Sequence, residues 1–187
     1  MKIFLLAPIA CLVAVCQNIA GEGSKLPTHA PASLELHDQF DAPQHLVFPC
    51  TNVIVLTIAD KKGSEQIDGW VAALKARYAG RIELRGLAEV GGVPGLLRGK
   101  VRKKFQETRT YPVMMDWSGK VCAQFGFQPA HANVLVIAGD GSIRARVAGP
   151  AREPGLKEVS AAIEAALINS ASVQSNSTPK PSAFRLP

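Results

Sequence analysis

The side chains in this chain able to do redox or metal chemistry are few and far apart. There are four cysteines, Cys11, Cys16, Cys50 and Cys122, and four histidines, His29, His37, His45 and His131. No pair falls at Cys-x-x-Cys or His-x-x-x-His spacing, so no local sequence encodes a dithiol or a metal loop. Cys11 and Cys16 lie in the N-terminal segment 1–20, which is expected to be removed, and this leaves Cys50 and Cys122 for the folded part. In an oxidising compartment such a pair could form a disulfide. The favoured reading is two separate buried thiols that pack as small apolar residues. Cys122, two residues after Lys120, is the first candidate for a reactive thiol and Cys50 the second. Against Cys122 stands its place between Val121 and Phe125 on a short helix, with no sign that it opens a helix beside a partner. Neither a metal nor a cofactor is expected.

Two clusters of charge could bind something. Arg98, Lys100, Arg102, Lys103, Lys104 and Arg109 form the densest run, and Lys100, Lys103 and Lys104 share a helix face opposite Leu97, Val101 and Phe105. The favoured reading is the solvated side of an amphipathic helix; the alternative is a docking face for an acidic partner or anionic lipid headgroups. Nucleic acid is not expected as the partner of an exported protein whose basic run lacks interleaved aromatics. The second cluster is Asp60, Lys61, Lys62, Gly63, Ser64 and Glu65, at the start of a helix where an apolar strand ends. Such a crevice can take a ligand, although a capped helix with surface charges explains the same residues. Gly91, Gly92 and Gly95 match no dinucleotide or phosphate-loop pattern and read as a turn.

The elements that must position these residues follow from periodicity. Leu34-Glu35-Leu36 and His45-Leu46-Val47-Phe48 flank a turn-like stretch and predict a hairpin. Asn52 to Ala59 is continuous, β-branched and apolar, the pattern of a central strand buried on both faces. A helix is predicted from about Glu65 to Tyr78, capped by Ser64 and packed through Ile67, Trp70, Val71, Leu74 and Tyr78. Then follow a strand over Arg81–Leu87, a helix over Val93–Glu107, a strand over Tyr111–Asp116 and a short helix over Gly119–Phe127. Asn133–Ala138 and Ile143–Val147 form a hairpin across Gly139–Ser142, and a helix over Pro154–Leu167 closes the domain. Strand–helix–strand units imply parallel pairing with right-handed crossovers, and the closing hairpin adds an antiparallel edge. The fold class is α/β, with a mixed central sheet, an N-terminal hairpin and helices on both faces.

Three segments resemble the thioredoxin superfamily, in particular its TlpA-like and peroxiredoxin-like redoxin domains. They are LELHDQFDAPQHLVF (34–48), YPVMMDWSGKVCAQFGF (111–127) and VLVIAGDGSI (134–143). The resemblance implies the thioredoxin-like fold, and it places the family's chemistry at two points where this sequence departs from it. The Cys-x-x-Cys that opens the first crossover helix is replaced by Asp60-Lys61-Lys62-Gly63-Ser64-Glu65-Gln66, with Lys62 and Glu65 where the cysteines would stand. A thiol at that place would be activated by the helix N-terminus. The family's cis-proline, before the later apolar strand, aligns with Ala132 in Phe127–Asn133. The resemblance therefore implies a degenerate form. By that resemblance Lys62, Gly63, Ser64, Glu65, His131 and Ala132 are expected to line the remnant of the active-site crevice.

The chain of 187 residues, 47% hydrophobic and 19% charged, suffices for one compact domain. Its formal charge of +6 permits anionic contacts without requiring them. Met1-Lys2 followed by the apolar run Ile3–Val15 reads as a signal peptide, too short for a membrane span. Residues 1–20 are thus expected to be removed, 21–33 to be a linker, 34–168 the domain and 169–187 a disordered Ser/Pro-rich tail. The expected location is the periplasm or the extracellular space, with no transmembrane helix in the mature protein. The expected function is a non-catalytic module of the cell envelope that binds a protein or peptide partner. The alternative is a thiol oxidoreductase or peroxidase using Cys122 and Cys50. The sequence leaves the oligomeric state open.

Overall fold

The computed structural model describes residues 26–176, with side chains to 170. The expected signal peptide and residues 177–187 of the expected tail lie outside the described residues. Strand β3 (Ile54–Ala59) is buried along its whole length and is the centre of a five-stranded sheet ordered β5-β4-β3-β6-β7. It pairs in parallel with β4 (Glu83–Glu89), and β4 pairs in parallel with β5 (Val113–Asp116). On its other side β3 pairs antiparallel with β6 (Asn133–Ile137), which continues into β7 (Ile143–Ala148). The expected hairpin is β1 (Ser33–His37) with β2 (Pro43–Val47), paired to each other in a separate two-stranded sheet.

Alternation along β3 divides the interior. Val53 and Val55 face α1 (Ile67–Tyr78) and α4 (Glu153–Asn176) through Trp70, Leu74, Tyr78, Val159 and Ile163. Ile54, Leu56 and Ile58 face the hairpin and α3 (Lys120–Gln124) through Leu34, Leu46, Cys122 and Phe125. The two-residue period of a strand puts one set of side chains in each core. A third, smaller cluster joins Ala88, Val90, Val113 and Met115 to Val101 and Phe105 of α2 (Arg98–Thr108).

Three stretches differ from the expectations. Leu97 does not pack with Val101 and Phe105: Gly95–Leu97 forms a 3₁₀ turn ahead of α2, and Leu97 is 50% exposed. At three residues per turn, that segment falls out of phase with the apolar stripe. Part of the expected linker is bonded to the β6–β7 hairpin. His29 bridges Ser142, Ala30 N–H donates to the Gly141 carbonyl (2.8 Å), Ile143 N–H donates to the Thr28 carbonyl (2.8 Å), and the Arg146 guanidinium donates to the Pro27 carbonyl (2.6 Å). α4 continues to Asn176, into the expected tail. No proline interrupts that stretch, and Ser170 Oγ donates back to the Ala166 carbonyl (2.9 Å). Among the described residues, no helix is long and apolar enough to cross a membrane.

Candidate functional site

The tip of the first crossover is built from an aspartate outward. Chain leaving β3 reaches Asp60, whose side-chain Oδ1 accepts the Gly63 N–H (2.7 Å) and whose backbone carbonyl accepts the Ser64 N–H (2.9 Å). These bonds fold Gly63–Gln66 into a 3₁₀ turn that runs into α1. The capping role expected of Ser64 thus belongs to Asp60, and Ser64 Oγ instead donates to the Lys61 carbonyl (2.8 Å). Asp60 Oδ2 reaches across to accept the Ala130 N–H (2.8 Å). Burial alone would raise the Asp60 carboxyl, but the N–H groups of Gly63, Ala130 and Lys62, with the Lys62 ammonium, outweigh it and hold it below its usual value.

The facing loop is closed onto this tip. Gln66 Oε1 accepts the Ala132 N–H (3.2 Å), and its Nε2 donates to the Ala130 carbonyl (3.3 Å). Asn133 Nδ2 donates to the carbonyls of His131 and Gln128 (2.9 Å each), and its Oδ1 accepts the Gln128 N–H (2.8 Å). Ala130 sits at φ +64°, a left-handed conformation unusual for alanine, and its N–H is held by Asp60. Gly63 packs so closely that an added Cβ would lie 2.5 Å from the His131 carbonyl carbon. Lys62, Gly63, Ser64, Glu65, His131 and Ala132 therefore do come together, in two classes. Gly63 and Ala132 are buried and form the seam; Lys62, Glu65 and His131 turn exposed side chains outward, and Ser64 is half-buried. Gln66 and Asn133 carry the closure and were not singled out from the sequence. The available signal was an Asp three residues before a glycine and an Asn closing the loop after Pro129.

No family model and no curated protein matches the chain. Solved structures do. The exposed lipoprotein thioredoxin Etrx1 of Streptococcus pneumoniae superposes with a TM-score of 0.53 at 13% identity, over 68% of this chain and 96% of that one. A thioredoxin-family thiol:disulfide interchange protein of Chlorobium tepidum gives 0.52 at 19% identity, over 74% and 98%. StoA of Bacillus subtilis gives 0.54 at 14% identity, over 72% and 99%. The fold is thioredoxin-like.

In this thioredoxin-like chain neither cysteine sits at the crossover tip. Cys122 is fully buried in the core beneath the hairpin, on the sheet face opposite α1. Burial pushes its thiol up, and the neighbouring carboxylates of Asp116 and Glu89 push it further, so Lys120 does not activate it. Cys50 precedes β3 at the end opposite the tip, and the six residues of the strand separate the two by about 20 Å. Its thiol is half-exposed, donates to the Asn52 carbonyl (3.4 Å) and borders a surface cavity of about 270 Å³. Both are free thiols. Among the described residues the cis proline bond is Phe48–Pro49, beside Cys50 and away from Ala132. Among the described residues, no group of three or more His, Cys, Asp and Glu side chains could hold a metal ion. His37 lies 3.3 Å from Asp41 and His45 3.7 Å from Glu35, at separate exposed positions.

These environments predict the thiol chemistry. In native protein an alkylating reagent should modify Cys50 and leave Cys122 untouched, with Cys122 reacting only after denaturant is added. Peptide mapping by mass spectrometry reads both. Native labelling of Cys122 at a rate like that of Cys50 would contradict its burial.

Proposed function

We propose that this is an exported, non-catalytic thioredoxin-like module that recognises a protein partner in the cell envelope through the tip of its first crossover. The observation that carries the reading is the occupation of that tip. Where a thiolate would be activated, Asp60 and Gln66 spend their polar groups tying the tip to the 130–132 backbone. The same bonds bear on the mode of recognition. The Ala132 N–H and the carbonyls of Ala130 and His131 already have partners, so adding a peptide strand there would first break internal bonds. Recognition then falls to the outward side chains of Lys62, Glu65 and His131. Export is supported by the Met1–Val15 pattern in the sequence.

The test has two arms. Purified protein should neither reduce insulin disulfides nor consume peroxide above the uncatalysed rate. Activity that disappears in Cys122→Ser or Cys50→Ser would replace this reading with a thiol enzyme. A photo-crosslinking residue at position 62 should give a discrete adduct in envelope extract, while one at Lys157 on α4 gives none. Equal adducts from both positions would remove the tip as the binding surface.

A further inference from the structure

The most exposed large apolar side chain among the described residues, Leu96, lies elsewhere, at the entrance to α2, with Leu97 beside it. Leu96 is 99% exposed and Leu97 50% exposed on the 3₁₀ turn Gly95–Leu97. Leu96 and Leu97 stand on the turn that leads directly into α2, and within α2 Lys100, Lys103 and Lys104, three and four residues apart, share one exposed face. The other cations of the run are occupied. Arg102 pairs with Asp41 (3.1 Å), Arg109 pairs with Asp68, and Arg98 lies over the Trp117 ring (5.4 Å). No carboxylate among the described residues pairs with the three lysines; Glu107, exposed at the far end of the face, is the acidic group closest to them along the helix. Around the leucines the surface is bare: a Cβ added to Gly92, Gly95 or Gly99 would meet nothing within 4 Å.

We infer that this turn and helix face dock the protein on an anionic lipid surface, with Leu96 and Leu97 entering the headgroup–acyl boundary and Lys100, Lys103 and Lys104 lying against the phosphates. Two protruding leucines beside a row of free lysines match the two components of interfacial binding, apolar insertion and attraction to anionic lipid. A protein partner fits the observations less well. Specific protein interfaces cover about 800 Å² on each side around a packed apolar centre, and here two side chains project from a surface of glycine and lysine.

The chain from Lys25 to Pro187 holds every described element and omits the N-terminal apolar run that would itself insert. A cooperative thermal melt followed by circular dichroism confirms that each variant is folded. Co-sedimentation with phosphatidylglycerol/phosphatidylcholine vesicles should show binding that is absent with phosphatidylcholine alone and that weakens with added salt. Lys100→Gln/Lys103→Gln/Lys104→Gln should weaken it by about 100-fold, roughly fivefold for each lysine. Leu96→Ser/Leu97→Ser should weaken it by about tenfold. Trp117 emission should shift to the blue on vesicle addition, and in the full-length chain that shift should still be lost in the lysine variant. Equal binding to neutral vesicles, or indifference to the lysine substitutions, overturns the inference. So does equally tight binding to soluble polyglutamate with no effect of the leucine substitutions, which would make an acidic polypeptide the partner.

Discussion

Gly63→Ala should lower the unfolding free energy by about 3 kcal/mol, measured by urea denaturation, while Gly92→Ala changes it by no more than about 0.5 kcal/mol. The contrast is steric. A Cβ on Gly63 meets backbone, 2.5 Å from the His131 carbonyl carbon and 3.1 Å from the Ala132 nitrogen, whereas one on Gly92 meets nothing within 4 Å. Backbone cannot rotate away as a side chain can, and this backbone is pinned from both sides. The His131 carbonyl accepts from Asn133, the Ala132 N–H donates to Gln66, and the Ala130 N–H donates to Asp60. Relief therefore requires the whole 128–132 loop to shift, breaking some of those bonds at about 1 kcal/mol or more each. The variant should also lose the crosslink from position 62, because the seam that sets the spacing between Lys62 and His131 has opened. A Gly63→Ala protein as stable as the parent would show that the loop is free to move, and that the closed tip imposes no constraint.

The parts of this molecule that were legible in the sequence are those fixed by local pattern. The apolar run through Ile54–Ala59 announced the central strand, and the turn Gly139–Ser142 announced the closing hairpin. The absence of a thiol between Asp60 and Gln66 is itself a sequence fact. What stayed hidden depends on pairs of side chains and backbone groups far apart along the chain. Gln66 bonds to Ala130 and Ala132, more than sixty residues away, and nothing in its neighbours distinguishes it from any other surface glutamine. Ser64, next to the helix, is the cap that local sequence suggests, yet Asp60 reaches Gly63 and Ala130 at once and Ser64 reaches neither. The Pro-Thr-His-Ala segment at 27–30 carries no strand pattern. It is recruited by the half-buried Arg146, which donates to the carbonyls of Phe125 and Pro27. A guanidinium drawn out of water and bonded only to carbonyls has its pKa lowered by burial, a cost that local sequence cannot reveal.

Asp116→Ala should be the most damaging single change outside the apolar core, costing about 4 kcal/mol at neutral pH. Asp116 is fully buried at the end of β5 and accepts three hydrogen bonds, from the Ser118 N–H (3.1 Å), the Ser118 hydroxyl (2.7 Å) and the Cys122 N–H (2.9 Å). Alanine leaves the two amide donors without a partner at the entrance to α3. Asn keeps one acceptor but turns an NH₂ toward donors on its other side, so Asp116→Asn should lose about 2 kcal/mol. The pH dependence separates this account from simple loss of packing. Burial alone would raise the Asp116 carboxyl, but the Cys122 N–H, the Ser118 hydroxyl and N–H, and the Cys122 thiol outweigh it and hold it below its usual value. A depressed carboxyl contributes stability that is fully present above its unfolded value, near pH 4, and is lost as pH falls through the lower folded value. Asp60 has the same sign and adds to the same acid limb. The gap between parent and Asp116→Asn in urea midpoint should therefore narrow from pH 7 to pH 3; a gap that stays constant would mean that the charge contributes nothing. Because the same carboxylate also keeps the Cys122 thiol protonated, the Asn variant is the most sensitive place to look for hidden thiol chemistry. Alkylation of Cys122 should become faster as α3 loosens, while insulin reduction stays at background, since Cys50, packed at the margin of the same core, is a free thiol that forms no disulfide with it.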